Sequence, residues 1–321
     1  MDKETVLIYQ MGKVGSSSIY QSLGKSKRFK PYHIHTLNLE SINKIKKRSK
    51  HKGLKIEKHI TDSEFILNKY FTNETLQKKL KIITLVREPI SRNIAAYFQN
   101  LDVYHSDNEL FQQSYLINED TLGFCQSLSV SPKIISALQS MKQTSFSTSQ
   151  ALLNQLEQNI DDNLIEKFKS RILKATSSHK TYVNELICDF QINYNHGVPL
   201  IWFQKEYFSI LGIDIYNYDF PRLKGYQQIT TDRFDCLIIK LETPDRKKER
   251  IIKEFLEFDR FSLKNTNFGN SKYYGEAYKA FKSGIQLPAA YINKMLSSEY
   301  TKHFYNKIER QDIRKKWKIA N

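Results

Sequence analysis

Apolar positions along the chain fall into short β-branched runs that alternate with stretches of helical spacing. Thr5-Val-Leu-Ile-Tyr9 is the first such run and predicts a buried strand. After the polar, glycine-containing segment Gln10–Ser18 comes Ile19-Tyr-Gln-Ser-Leu23, whose spacing predicts a helix. A second strand is expected over Pro31–Thr36 and an amphipathic helix over Asp62–Lys79. Lys81-Ile-Ile-Thr-Leu-Val86 is the clearest buried strand, and Pro89 then sits where the first turn of a helix running to about Leu101 tolerates it. Further strands are expected at Val198–Phe203 and Phe234–Leu241, the latter followed by a helix over Arg246–Phe258. Strands alternating with helices imply an α/β fold with a central parallel sheet and crossover helices. The middle of the chain, about 108–196, reads as a helical insertion, and about 273–319 as a helical, aromatic-rich tail within a single domain. The tail's aromatics, Tyr300 and Tyr305 among them, are expected to pack rather than to stack on bases.

Composition narrows this picture only at a few points. With 321 residues, one large α/β domain is an adequate vessel for a single core. Eleven glycines and seven prolines are too few for a repeat or disordered protein, and the polar stretch Gln143–Gln150 is the nearest approach to a linker. Neither a secretory signal nor a membrane span is expected from the apolar runs. Cys125, Cys188 and Cys236 are odd in number and far apart, so no disulfide framework or zinc site is expected, and the reducing cytoplasm is the expected compartment. A formal charge of +16 favours anionic partners such as an acidic glycan, a phosphorylated cofactor or an anionic membrane touched peripherally. The basic run Lys44–Lys58 lacks interleaved aromatics and RNA-binding signatures, so nucleic acid is not the expected partner.

Two loops carry the candidate chemistry. In Gly12-Lys-Val-Gly-Ser-Ser-Ser18 the glycines let backbone N–H groups approach an anion, and serines at a helix start offer capping hydroxyls. The helix N-terminus and Lys13 add positive charge, making the loop a ready phosphate or sulfate site. The lysine precedes Gly15 rather than following it, so this is not a standard nucleoside-triphosphate loop. The second loop begins at Arg87, at the end of the Lys81–Val86 strand, where open α/β sheets bind ligands and where a guanidinium can grip a phosphate with two bonds.

Together the loops resemble those of sulfotransferases that use 3′-phosphoadenosine-5′-phosphosulfate (PAPS). Lys13, Gly15, Ser16 and Ser17 match the family's lysine, glycine and paired hydroxyls around the 5′-phosphosulfate, and Arg87, Pro89, Arg92 and Tyr97 fall in register with its 3′-phosphate motif. Ala95 occupies that motif's serine position. Asn267-Phe-Gly-Asn-Ser-Lys272 is similar to a late loop closing over the 3′-phosphate, with Ser271 and Lys272 as candidates. The wider pattern, including Trp202–Glu206, Gly212–Asp214 and Lys302–Asn306, resembles a bacterial group of capsular polysaccharide synthesis proteins. That group usually has an acidic residue at the position of Gln204. The resemblance implies a P-loop-like three-layer fold and sulfuryl transfer from PAPS, leaving PAP, to a hydroxyl of a glycan or polysaccharide precursor. Gly12, Lys13, Val14, Gly15, Ser16, Ser17, Ser18, Arg87, Ser271 and Lys272 would hold the cofactor, and no metal is implied.

A hydroxyl acceptor calls for a base, and histidine's ordinary pKa suits the task. His33 and His35 share one face of the expected second strand; His59, Asp62 and Glu206 are alternatives. Two other readings remain. A P-loop-like nucleotide kinase would need a magnesium carboxylate on a strand and a Walker lysine, and neither is evident. A non-enzymatic anion- or glycan-binding relative is favoured by Ala95 and Gln204.

Overall fold

The computed structural model describes residues 3–51, 53, 55–71, 79–99, 124, 125, 127, 128, 132, 135, 180–264 and 274–317. These divide into two compact units. The first takes in residues 1–88, 199–267 and 299–306 and contains the sheet; the second takes in 89–198, 268–298 and 307–321 and is helical where described.

In chain order the elements are β1 (Glu4–Tyr9), α1 (Ser17–Gly24), β2 (Phe29–Ile34), α2 (Leu39–His51), α3 (Lys58–Tyr70), β3 (Leu80–Val86), α4 (Pro89–Gln99), α5 (Lys180–Asn193) and α6 (Val198–Phe203). After a π-helix at Gln204–Leu211 follow β4 (Tyr226–Thr230), β5 (Phe234–Lys240), α7 (Asp245–Leu256), α8 (Gly275–Gly284), α9 (Ala289–Ser297), α10 (Glu299–Phe304) and α11 (Lys307–Lys316).

Among the described residues five strands form one sheet in the order β2-β1-β3-β5-β4. β1, β2, β3 and β5 are parallel, and β4 is antiparallel to β5. β1, β3 and β5 are buried almost without interruption, from Val6 to Tyr9, Ile82 to Val86 and Cys236 to Lys240, because both faces of the sheet are covered. β2 is an edge strand, where Pro31 costs the ladder little. The chain passes from β1 outward to β2 and then returns to β3 on the other side of β1. The loops that follow β1 and β3 therefore leave the sheet at a topological switch point, the place where open α/β sheets bind ligands.

The sheet departs from the all-parallel expectation at β4. Tyr226-Gln-Gln-Ile-Thr230 has too little apolar character to announce a strand, but a hairpin closes it onto β5: the Thr231 N–H donates to Phe234 O and the Phe234 N–H to Thr231 Oγ1. The strand expected over Val198–Phe203 is instead the helix α6. A six-residue apolar run has no period long enough to separate a strand from a buried helix, and Pro199 suits a first turn. The second strand lies two residues earlier than expected, leaving His35 just past its end. The helix expected over Asp62–Lys79 runs from Lys58 to Tyr70, and residues 72–78 lie outside the described part. Most of the expected 108–196 insertion, including Gln143–Gln150, lies there too. No helix among the described residues is long and apolar enough to cross a membrane.

The helical unit is built around aromatic side chains. Tyr97, Phe98, Phe190, Tyr194 and Phe281 pack mostly edge to face or tilted, with Phe190 and Tyr194 stacked. Their core also encloses polar groups that are bonded to one another. Tyr97 Oη donates to the Asp189 carboxylate, the Arg92 guanidinium to Tyr194 Oη at 2.9 Å, and the Asn93 amide to His196 O at 3.1 Å.

Candidate functional site

The loop after β1 is held in an unusual backbone conformation. Lys13 has φ +73° and Gly15 has φ +87°, while Val14 between them does not share the positive sign. Such alternation is the pattern by which successive peptide N–H groups converge on one anion. A non-glycine residue in the left-handed region is held there at a cost of about 1–3 kcal/mol, and such outliers cluster at binding sites. Glycine is favoured at position 15 by its φ, and a Cβ there would lie 2.5 Å from Leu241 Cδ1, so that side chain would have to shift.

Ser16 is the N-cap residue of α1, yet its hydroxyl makes no capping bond. It meets His33 Nε2 at 2.6 Å instead. The sequence leads one to expect a capping serine; the structure leaves the first turn of α1 without a side-chain cap, and its leading N–H groups have no intrahelical acceptor. Ser17 and Ser18 open that turn and are half-buried, Val14 is buried, and Gly12 and Lys13 are half-buried at the loop's start. The donor set, a helix N-terminus with hydroxyls, a lysine and a glycine that lets backbone come close, suits a tetrahedral oxyanion.

Arg87 joins this loop directly. Its Nη1 donates to Lys13 O at 3.0 Å, so the two segments singled out in the sequence are tied together beyond the ends of β1 and β3. The Arg87 peptide is itself pinned: Tyr300 Oη accepts from Arg87 N–H at 3.2 Å and donates to Arg87 O at 2.8 Å. One residue on, Glu88 N–H donates to Glu242 Oε1, and Tyr305 Oη donates to the other oxygen of the same carboxylate. Tyr300, Tyr305 and Glu242 are supports that the sequence does not reveal. Tyr300 is 213 positions from Arg87, and in sequence it reads as an ordinary aromatic of the tail.

The candidate bases lie beside the loop. His33 and His35 meet with ring centroids 4.7 Å apart, and His35 meets His59, in the first turn of α3, at 5.2 Å. His35 Nδ1 lies 2.9 Å from Gln10 O; a carbonyl only accepts, so this nitrogen carries a proton, and in the neutral ring the lone pair is then on Nε2. His33 is pushed down to about 4, by burial first and by neighbouring His59 second, with Asp62 acting in the opposite direction.

Glu206 is 4% exposed and accepts from Tyr9 Oη at 2.5 Å, Thr36 Oγ1 at 2.6 Å and Leu37 N–H at 2.8 Å. Burial raises its pKa while these bonds oppose the rise. Two of these bonds come from the segment after β2 and one from Tyr9 at the end of β1, and the Trp202 indole N–H donates to His35 O at 3.0 Å in the segment after β2. Glu206 therefore holds Thr36 and Leu37, the residues that directly follow His35. Asp62 forms an exposed ion pair with Lys58, and His59 pairs with Glu57 at 3.1 Å. Among the described residues no group of three or more His, Cys, Asp or Glu side chains could hold a metal ion. Ser271 and Lys272 lie outside the described residues.

No curated protein and no solved structure gives a significant match to the chain. A family model does, over residues 173–306. That span contains Trp202, Glu206, Glu242, Tyr300 and Tyr305, the supports of the site, whereas the Gly12–Ser18 loop, His33, His35 and Arg87 precede it. The family it matches there is described as "Putative capsular polysaccharide synthesis protein".

Proposed function

We propose that this protein is a PAPS-dependent sulfotransferase with a P-loop-like fold, transferring a sulfuryl group to a hydroxyl of a glycan or polysaccharide precursor. The observation that carries this reading is the Arg87–Lys13 bond, which brings the two resemblance motifs together at the sheet's switch point. The family match over 173–306 supports a polysaccharide acceptor.

When bound, PAPS supplies an activated sulfuryl group on a 5′-phosphate and a recognition handle in its 3′-phosphate. Gly12–Ser18 would hold the phosphosulfate, with Lys13 offering positive charge where negative charge develops. Arg87, its peptide fixed by Tyr300, would hold the 3′-phosphate with the guanidinium edge that Lys13 O does not use. His35, its Nδ1–H committed to Gln10 O, presents Nε2 as the acceptor for the proton of the attacking hydroxyl. Trp202 and Glu206 keep His35 in place.

The test is a transfer assay with sulfur-labelled PAPS and a panel of polysaccharides, run on wild type and Lys13→Ala. Label should pass to a polysaccharide, and Lys13→Ala should lower turnover by about 10²–10³, as loss of an oxyanion donor does. Label transfer that is indifferent to Lys13 would rule out this site. PAP binding without transfer to any acceptor would favour a binding-only relative, the reading to which Ala95 points.

A further inference from the structure

Ser16 is the one loop hydroxyl already engaged, and its partner is a titratable ring 2.6 Å away. A serine hydroxyl has a single proton. If Ser16 donates that proton to a bare His33 Nε2, it has none to give an anion in the loop. If Nε2 carries a proton and donates to Ser16 Oγ, the serine proton is released to point at the anion. An anion bound among Gly12–Ser18 therefore selects the second arrangement.

We infer that His33 completes the anion site through Ser16, so that an oxyanion entering the Gly12–Ser18 loop is bound together with a proton on His33. The inference rests on the loop being the anion site of the proposed function and adds to it a regulation by pH. The groups facing His33 can be named. Tyr20 stacks on it from α1 at 5.6 Å, His35 meets it from the end of β2, and His59 and Asp62 act on it from α3. Without an anion, burial and His59 outweigh Asp62 and hold His33 neutral, with its pKa at about 4. A negative charge one hydroxyl away favours the charged ring. The sign follows: the pKa is higher with the anion than without it, so binding takes up a proton, and affinity rises as pH falls through the bound-state value.

Sulfate is the suitable probe because it does not titrate near neutrality. If the bound anion restores the ordinary histidine value of about 6.5, one linked proton makes sulfate binding about tenfold tighter at pH 5.5 than at pH 7.5. Calorimetric titration of sodium sulfate at constant ionic strength reads this directly. His33→Asn, which keeps a side-chain donor but cannot titrate, and Ser16→Ala should each bind sulfate with the same affinity at both pH values. Equal affinity at the two pH values in wild type would overturn the inference and mean that His33 changes only its tautomer. A slope that persists in both variants would also overturn it and assign the proton to His35 or His59. Absence of any sulfate binding would remove the loop reading itself, a result distinct from binding without a slope.

Discussion

The protein contains two histidine environments that differ in what surrounds the ring. His196, in the helical unit, is fully buried; its Nε2 donates to Phe190 O at 2.9 Å and its Nδ1 meets Tyr291 Oη at 3.1 Å. Phe190, Tyr194 and Tyr291 box it edge-on, and burial pushes it down to about 3. His33 and His35, in the sheet unit, are only half-buried, and their neighbours are an anion-shaped loop and other titratable groups. The same side chain thus closes a core in one unit and stands at a rim in the other. A histidine whose two nitrogens are both spent inside an aromatic box is part of the packing. His33 and His35 are instead bonded to a loop serine and a strand-end carbonyl, beside the loop proposed as the anion site.

That contrast can be broken by substitution. His196→Ala should have the largest effect on stability, about 3–5 kcal/mol, because it empties a buried aromatic-sized site and removes the bonds of His196 to Phe190 O and Tyr291 Oη. Urea unfolding measures it, and His33→Asn in the same experiment at pH 7 should shift the midpoint little. Equal losses from the two would erase the distinction. Gly15→Ala should cost less, about 1–2 kcal/mol, from the positive φ and the approach to Leu241. Its effect on anion binding should be out of proportion to that loss, since the loop cannot keep its shape; calorimetry with sulfate alongside urea unfolding separates the two. A destabilised Gly15→Ala protein with unaltered sulfate affinity would detach the loop conformation from binding.

The site's local parts were legible in the sequence, and its supports were not. Gly12, Lys13, Gly15 and the serines stand together in one loop, and Arg87 follows an unmistakable buried strand, so short-range pattern was enough to single them out as candidates. What fixes them comes from far along the chain. Tyr300 reaches the Arg87 peptide, Glu242 reaches Glu88, and Glu206 gathers donors from Tyr9, Thr36 and Leu37. Glu206 stands out in the sequence only as an alternative base, and Tyr300 and Glu242 have no local period or spacing that marks them; each acts through a tertiary hydrogen bond. Two elements of the fold differ from the expectation for a related reason. β4 exists because β5 offers it a hairpin, and α6 is a helix because tertiary burial decides a six-residue apolar run that has no period of its own.

The central claim is that the Gly12–Ser18 loop and Arg87 form one site for a nucleotide with a 5′-terminal oxyanion and a 3′-phosphate. Calorimetric titration of PAP, with adenosine 5′-monophosphate as the ligand lacking the 3′-phosphate, tests it in wild type and Arg87→Ala. The account predicts that wild type binds PAP much more tightly than adenosine monophosphate. It also predicts that Arg87→Ala removes most of that preference, about 1.5–3 kcal/mol for bonds to a charged group, while leaving the weaker ligand's affinity nearly unchanged. Equal affinity for the two nucleotides in wild type, or a preference for PAP that survives the loss of Arg87, would contradict it.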